Sequence, residues 1–150
     1  MLDQIVFLPD YGPIPPLPKD PEADGPQATR TRQRVLVVDD EPLIAQTVTA
    51  ILNAHGFEAL ESTSAEDALH LAHSFQPDIV LSDVLMPRMT GVDLGVRLRN
   101  ELPQTRVLLF SGQAATSELM RRVEDKAYDL EIFPKPVHPG ELIARLRGLV

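Results

Sequence analysis

From Arg34 onward, apolar residues fall in short unbroken runs separated by longer stretches of helical period. The runs "VLVV" (35–38), "FEAL" (57–60), "DIVLS" (78–82), "RVLLF" (106–110) and "LEIF" (130–133) read as five strands. Within them "VLVV", "IVL" and "VLLF" carry no polar residue, as expected of parallel strands covered on both faces. The first helical stretch starts at Pro42, a residue suited to the first turn, and ends at Gly56. Ile44, Val48, Ile51 and Leu52 give it an apolar stripe. The second opens at Ser64 with Asp67 three residues on, a capping-box spacing with Asp in place of Glu. Further helices are expected over 91–101, 114–125 and 139–149. Five β-α units with right-handed crossovers predict an α/β fold, a doubly wound five-stranded parallel sheet of (βα)5 type. Ligands bind such sheets beyond the carboxyl ends of the strands.

Residues 1–33 follow a different pattern. The stretch "LPDYGPIPPLPKDPEADGP" holds seven of the fourteen prolines. Proline lacks the amide donor and clashes with a preceding helical turn, so neither helix nor central strand is expected here. The chain therefore divides into a disordered or extended tail, 1–33, and a folded domain, 34–150. "PIPPLP" has the form of a polyproline ligand, against the plainer reading of a passive leader. "LDQIVFL" is apolar enough to pack on something, the domain itself included.

Composition narrows the function. A formal net charge of −8 argues against a general nucleic-acid surface, which needs clustered Lys and Arg. With no Cys, disulfides, thiolate nucleophiles and Cys-based zinc sites are excluded. No apolar run approaches the roughly 20 residues that span a bilayer, and the N-terminus lacks the features of a signal peptide. A cytoplasmic protein without membrane contact is expected.

The chemistry lies at the predicted strand ends. Asp39, Asp40 and Glu41 follow the first strand, Asp83 the third, Ser111 and Gly112 the fourth, and Lys135 and Pro136 the fifth. On one rim, adjacent carboxylates repel unless a cation lies among them. Mg²⁺ suits them, because it prefers oxygen ligands, keeps several waters and takes one or two protein carboxylates. Lys135 and Ser111 suit a phosphoryl group as charge and hydrogen-bond donor. There is no Gly-rich phosphate cradle. A carboxylate can itself be the nucleophile and become an acyl phosphate, and Asp83, alone at the end of a middle strand, is the candidate. Taken singly, a strand-end Asp pair can equally be a helix cap, and a loop Ser or Lys is usually solvated surface. The ordered set across four strands is what is specific.

In this order the motifs resemble the receiver domain of two-component response regulators, the flavodoxin-like fold of the chemotaxis regulators. "VLVVDDEP", "PDIVLSDVLMPRMTG", "VLLFSGQ" and "IFPKPVHPGEL" carry the resemblance, which covers about residues 34–150. It implies that Asp83 is the phosphoacceptor and that Mg²⁺ is bound directly by Asp40, through water by Asp39, and by Asp83 and the Leu85 carbonyl. It implies that Lys135 and Ser111 hold the phosphoryl oxygens, that Gly112 admits the group, and that the Lys135–Pro136 bond is cis. The implied partners are a histidine kinase or phosphotransfer protein and a downstream protein target.

Three features depart from the family pattern. Ile132 stands where an aromatic switch residue is usual, with Phe133 beside it. The span from Ser111 to Lys135 is about two residues longer than in the commonest members. The chain stops after its last helix, which suggests a stand-alone regulator, not a turnover enzyme, whose output passes to another molecule. His70 and His73 lie one helical turn apart and read as an exposed face of the second helix, with a metal pair or a phosphohistidine the lesser reading. Two rivals remain: a haloacid-dehalogenase-type phosphatase, which wants Asp-x-Asp on one strand, and a binding module that works without phosphorylation.

Overall fold

The computed structural model describes residues 32–112, 121, 130–134 and 138–149. Its elements run β1 (Arg34–Val38), α1 (Pro42–Ala54), β2 (Glu58–Ser62), α2 (Ala65–Phe75), β3 (Ile79–Asp83), α3 (Gly91–Glu101), β4 (Arg106–Ser111), β5 (Glu131–Pro134) and α4 (Pro139–Gly148). The strands form one parallel sheet in the order β2-β1-β3-β4-β5. The expected doubly wound α/β sheet is thus present. The helix expected over 114–125 falls almost wholly outside the described residues.

Unbroken apolar strands have two buried faces, and the core divides accordingly. Leu36, Val38, Val80 and Leu109 pack with Ala65, Ala68 and Ala72 of α2 and with Leu94 and Leu98 of α3. On the other face Val35, Val37, Ile79, Leu81, Leu108 and Phe110 pack with Ile51 and Leu52 of α1 and Leu142, Ile143 and Leu146 of α4. Side chains one residue apart point to opposite faces, so each strand feeds both clusters.

Two expectations shift. β2 lies later than "FEAL" because it is an edge strand whose buried positions are Ala59 and Ser62, not large hydrophobes. Phe57 is buried just before it. Glu58 and Glu61 are exposed along this edge, a charge pattern that discourages pairing with a further strand. In α1 the buried face is set by Ala45, Ile51 and Leu52, with Val48 half-buried. The face is turned one residue from the expected line, so Ile44 sits at its border, 38% exposed.

The helix starts follow their caps. Ser64 Oγ accepts from the Asp67 amide at 3.1 Å. Thr90 and Asp93 close a full reciprocal box at the start of α3. α2 ends in a left-handed residue, Gln76, with φ 53°.

Candidate functional site

β1 delivers its acids by continuing its pairing for one residue. The Asp39 amide donates to the Ser62 carbonyl at 3.1 Å. This holds Asp39 at the rim and buried, 4% exposed. Its Oδ1 accepts from the Glu41 amide at 2.9 Å, which bends the chain into α1. Glu41 is the N-cap residue of α1 and makes no side-chain cap bond. Asp40, between them, is open to solvent. Asp83 ends β3, half-buried, two strand positions from the edge of the same rim.

The three carboxylates of Asp39, Asp40 and Asp83 each offer an oxygen within 4.8 Å of the others. Glu41 is not among them. A single Mg²⁺ with ligands at about 2.1 Å sets its oxygens about 3 to 4.2 Å apart. The observed spacing therefore suits one hard cation after a small inward closure, or with one acid reaching it through water. Of the cap and metal readings for the aspartate pair, the first is not what the structure shows, since α1 has no side-chain cap bond and Asp39 holds only the amide of the N-cap residue Glu41, while Asp39, Asp40 and Asp83 together have the spacing for the second.

The loop after β3 is pinned at its start. The Val84 amide donates to the Phe110 carbonyl at 3.1 Å, and the Gly91 amide donates to the Val84 carbonyl at 2.8 Å. Leu85, half-buried, follows in this loop, as does Arg88 in the left-handed region with φ 69°. Beneath it, Ser82 is fully buried, and its hydroxyl donates to the Asp83 carbonyl at 2.9 Å. Gly91 leans on the same peptide. A methyl at Gly91 would overlap the Asp83 carbonyl oxygen and stand 2.9 Å from its carbon and 3.0 Å from Ser82 Oγ. Only glycine lets α3 begin here. Neither Ser82 nor the tight approach of Gly91 was among the expected site features. "SD" at a strand end, with glycine opening the next helix, is the only sequence signal for them.

Ser111 ends β4, half-buried, with its hydroxyl donating to the Gly112 carbonyl at 3.4 Å. It shares the rim: Phe110 is the register partner of Asp83, and Ser111 that of Pro134. Lys135 follows Pro134 directly, but Lys135 and the Lys135–Pro136 bond lie outside the described residues. Ile132 is half-buried against the α2–α3 side of the core, beside Leu109 in register. Phe133, on the opposite face, meets Phe110 edge-on at 6.1 Å. His70 and His73 are exposed, as expected, and His73 pairs with Glu101 across α2 and α3 at 2.9 Å.

Among the described residues no helix is long and apolar enough to cross a membrane. The chain is 34% identical over 117 residues to "DNA-binding response regulator MtrA" of Mycolicibacterium smegmatis, covering 78% of this chain and 50% of that protein. It is 32% identical over 117 residues to "Cell cycle response regulator CtrA" of Brucella ovis, again covering 78% and 50%. It thus spans about half the length of these relatives. Among solved structures, Vibrio cholerae chemotaxis protein CheY4 superimposes with a TM-score of 0.70 at 28% identity, covering 80% of this chain and 100% of that one. The signal receiver domain of an HD domain-containing protein from Pseudomonas fluorescens gives 0.72 at 26%, covering 79% and 94%. The model of the response regulator receiver domain matches residues 35–147. With parallel sheet, acidic rim and motif order in agreement, the chain belongs to the response regulator receiver domain family of two-component signalling.

Proposed function

We propose that Asp83 accepts a phosphoryl group from a phosphohistidine of a histidine kinase or phosphotransfer protein. The observation that carries this reading is the meeting of Asp39, Asp40 and Asp83 within 4.8 Å at the carboxyl rim of the sheet. An Asp83 oxygen attacks phosphorus and the P–N bond to the donor imidazole breaks, so the group moves without net gain or loss of electrons. Asp39, Asp40, Asp83 and the Leu85 carbonyl would hold Mg²⁺. When bound, the ion supplies charge that offsets the phosphoryl oxygens beside the carboxylates. Asp39, fixed by the Glu41 amide, keeps the cluster in place. Ser111 donates to a phosphoryl oxygen, with Lys135 as the second contact.

The partner surface fits a protein donor. α1 contains no charged residue, and its first turn, next to the acidic rim, exposes Leu43 at 58% and Ile44 at 38%. Exposed apolar side chains beside the acceptor suit docking of another chain. We assign the output to altered binding of a target or onward transfer to a second histidine. Incubation with acetyl phosphate and Mg²⁺ tests the reading: one phosphoryl group should appear by intact mass, and EDTA should prevent it. An unmodified chain with small phosphodonors and with a panel of phosphorylated kinases would overturn it.

A further inference from the structure

We infer that Ser82 is a positioning residue for the acceptor Asp83, setting the direction of the Asp83 peptide and through it the loop that carries the Leu85 carbonyl. The inference rests on the reading of Asp83 as acceptor. Ser82 is the last residue of β3 before the acid, and it has no exposed surface. It lies on the strand face shared by Val80 and faces the α3 side of the core, away from the solvent that could satisfy a hydroxyl. A buried hydroxyl needs a partner, and this one donates to the carbonyl of the next residue, Asp83, at 2.9 Å. Such a side-chain bond to nearby backbone selects one local conformation over others.

The carbonyl chosen matters. Its orientation is the ψ angle of Asp83, which also sets the Val84 amide that donates to Phe110 at 3.1 Å. The Val84 carbonyl in turn receives the Gly91 amide at 2.8 Å, and Leu85 comes next along the chain. Gly91 closes the arrangement from above, because its α-carbon side faces both the Asp83 carbonyl and Ser82 Oγ, the latter 3.0 Å from where a methyl would stand. Ser82 and Gly91 thus grip the Asp83 peptide from two sides. The acid enters the rim already oriented, which is how a fixed scaffold lowers the entropic cost of a reaction. The Ser82 hydroxyl is engaged by the Asp83 carbonyl, so its effect passes through Asp83.

The test compares Ser82→Ala with Ser82→Thr in the full chain. Alanine removes the hydroxyl and shrinks the side chain; threonine keeps the hydroxyl and enlarges it. Measured quantities are the acetyl phosphate labelling rate at saturating Mg²⁺, the Mg²⁺ dissociation constant and the melting temperature. Positioning predicts a fall of about tenfold in labelling rate for Ser82→Ala, the size expected for one lost buried hydrogen bond, with Ser82→Thr within about threefold of wild type. Wild-type rate and Mg²⁺ affinity in Ser82→Ala would overturn the inference. So would equal losses of rate and melting temperature in both variants, since that pattern belongs to packing. Failure of wild type itself to label would instead overturn the acceptor reading.

Discussion

Gly91→Ala is the sharpest structural perturbation available. The added methyl would overlap the Asp83 carbonyl oxygen and stand 2.9 Å from the Asp83 carbon. Ordinary contact begins near 3.4 Å, so either α3 or the Asp83 peptide must retreat. Both are backbone, and neither can swing aside as a side chain tip would. Overpacking of this kind costs about 1–3 kcal/mol. Weakening of the 2.8 Å bond from Gly91 to Val84 adds about 1 kcal/mol. Alanine's better helix propensity returns less than about 1 kcal/mol at this terminal position. The net expectation is a loss of about 2–3 kcal/mol. Urea unfolding should show the midpoint falling by about 1–2 M with unchanged slope. Two other helical glycines serve as internal controls for the effect of an added methyl. At Gly148 nothing lies within 4 Å, so alanine should stabilise by about 0.5 kcal/mol. At Gly95 the methyl meets side chains only, Leu130 Cδ2 at 2.8 Å and Leu130 Cδ1 and Val107 Cγ1 at 3.3 Å, so alanine should cost less than at Gly91, its helix propensity offsetting part of the crowding. A Gly91→Ala protein as stable as wild type would refute the close approach of α3 to the Asp83 peptide.

Three further outcomes follow from the same residues. Asp40→Ala relieves repulsion among carboxylates within 4.8 Å, so in EDTA and low salt the melting temperature should rise by a few degrees, roughly 1 kcal/mol, while Mg²⁺ binding weakens; a lower melting temperature would mean the acid serves the fold. A shortened chain beginning at Arg32 should fold and take phosphate from acetyl phosphate at the full-length rate, and loss of its cooperative melt would show that "LDQIVFL" packs on the domain. The Glu101 carboxyl is held below its ordinary value, first by the Arg97 hydrogen bond and then by that from His73. Its lowered folded value means the stabilisation is present above 4.5 and lost as pH falls through the folded value. The melting difference between wild type and Glu101→Gln should therefore shrink in acid, and a difference that grows there would contradict the pairing.

How much could be read from the chain depends on where each element's information resides. β1, β3 and β4 announce themselves because burial on both faces leaves no polar position in "VLVV", "IVL" and "VLLF". β2 is displaced from its expected place because an edge strand that buries Ala59 and Ser62 carries little apolar signal. Ile44 belongs to the apolar stripe of the sequence yet borders the buried face of α1, because periodicity fixes a helical stripe only to within about one residue. The acids meet because they end neighbouring parallel strands, so the topology alone brings Asp39 and Asp40 to Asp83. The roles of Ser82 and Gly91 were not legible, since a hydroxyl bonded to the next carbonyl and a helix start pressed on a strand end are facts of tertiary packing. Lys135 stands next to Pro134, the register partner of Ser111, but its own placement lies outside the described residues.

On the proposed reading, Asp83 carries the phosphoryl group and needs Mg²⁺ to receive it. The most direct measurement is intact-mass and peptide mapping of wild type and Asp83→Asn after acetyl phosphate with Mg²⁺, each repeated in EDTA. Wild type should gain one phosphoryl group, mapped to Asp83 and absent in EDTA, and Asp83→Asn should gain none. Labelling of Asp83→Asn to the wild-type extent, or undiminished labelling of wild type in EDTA, would contradict it.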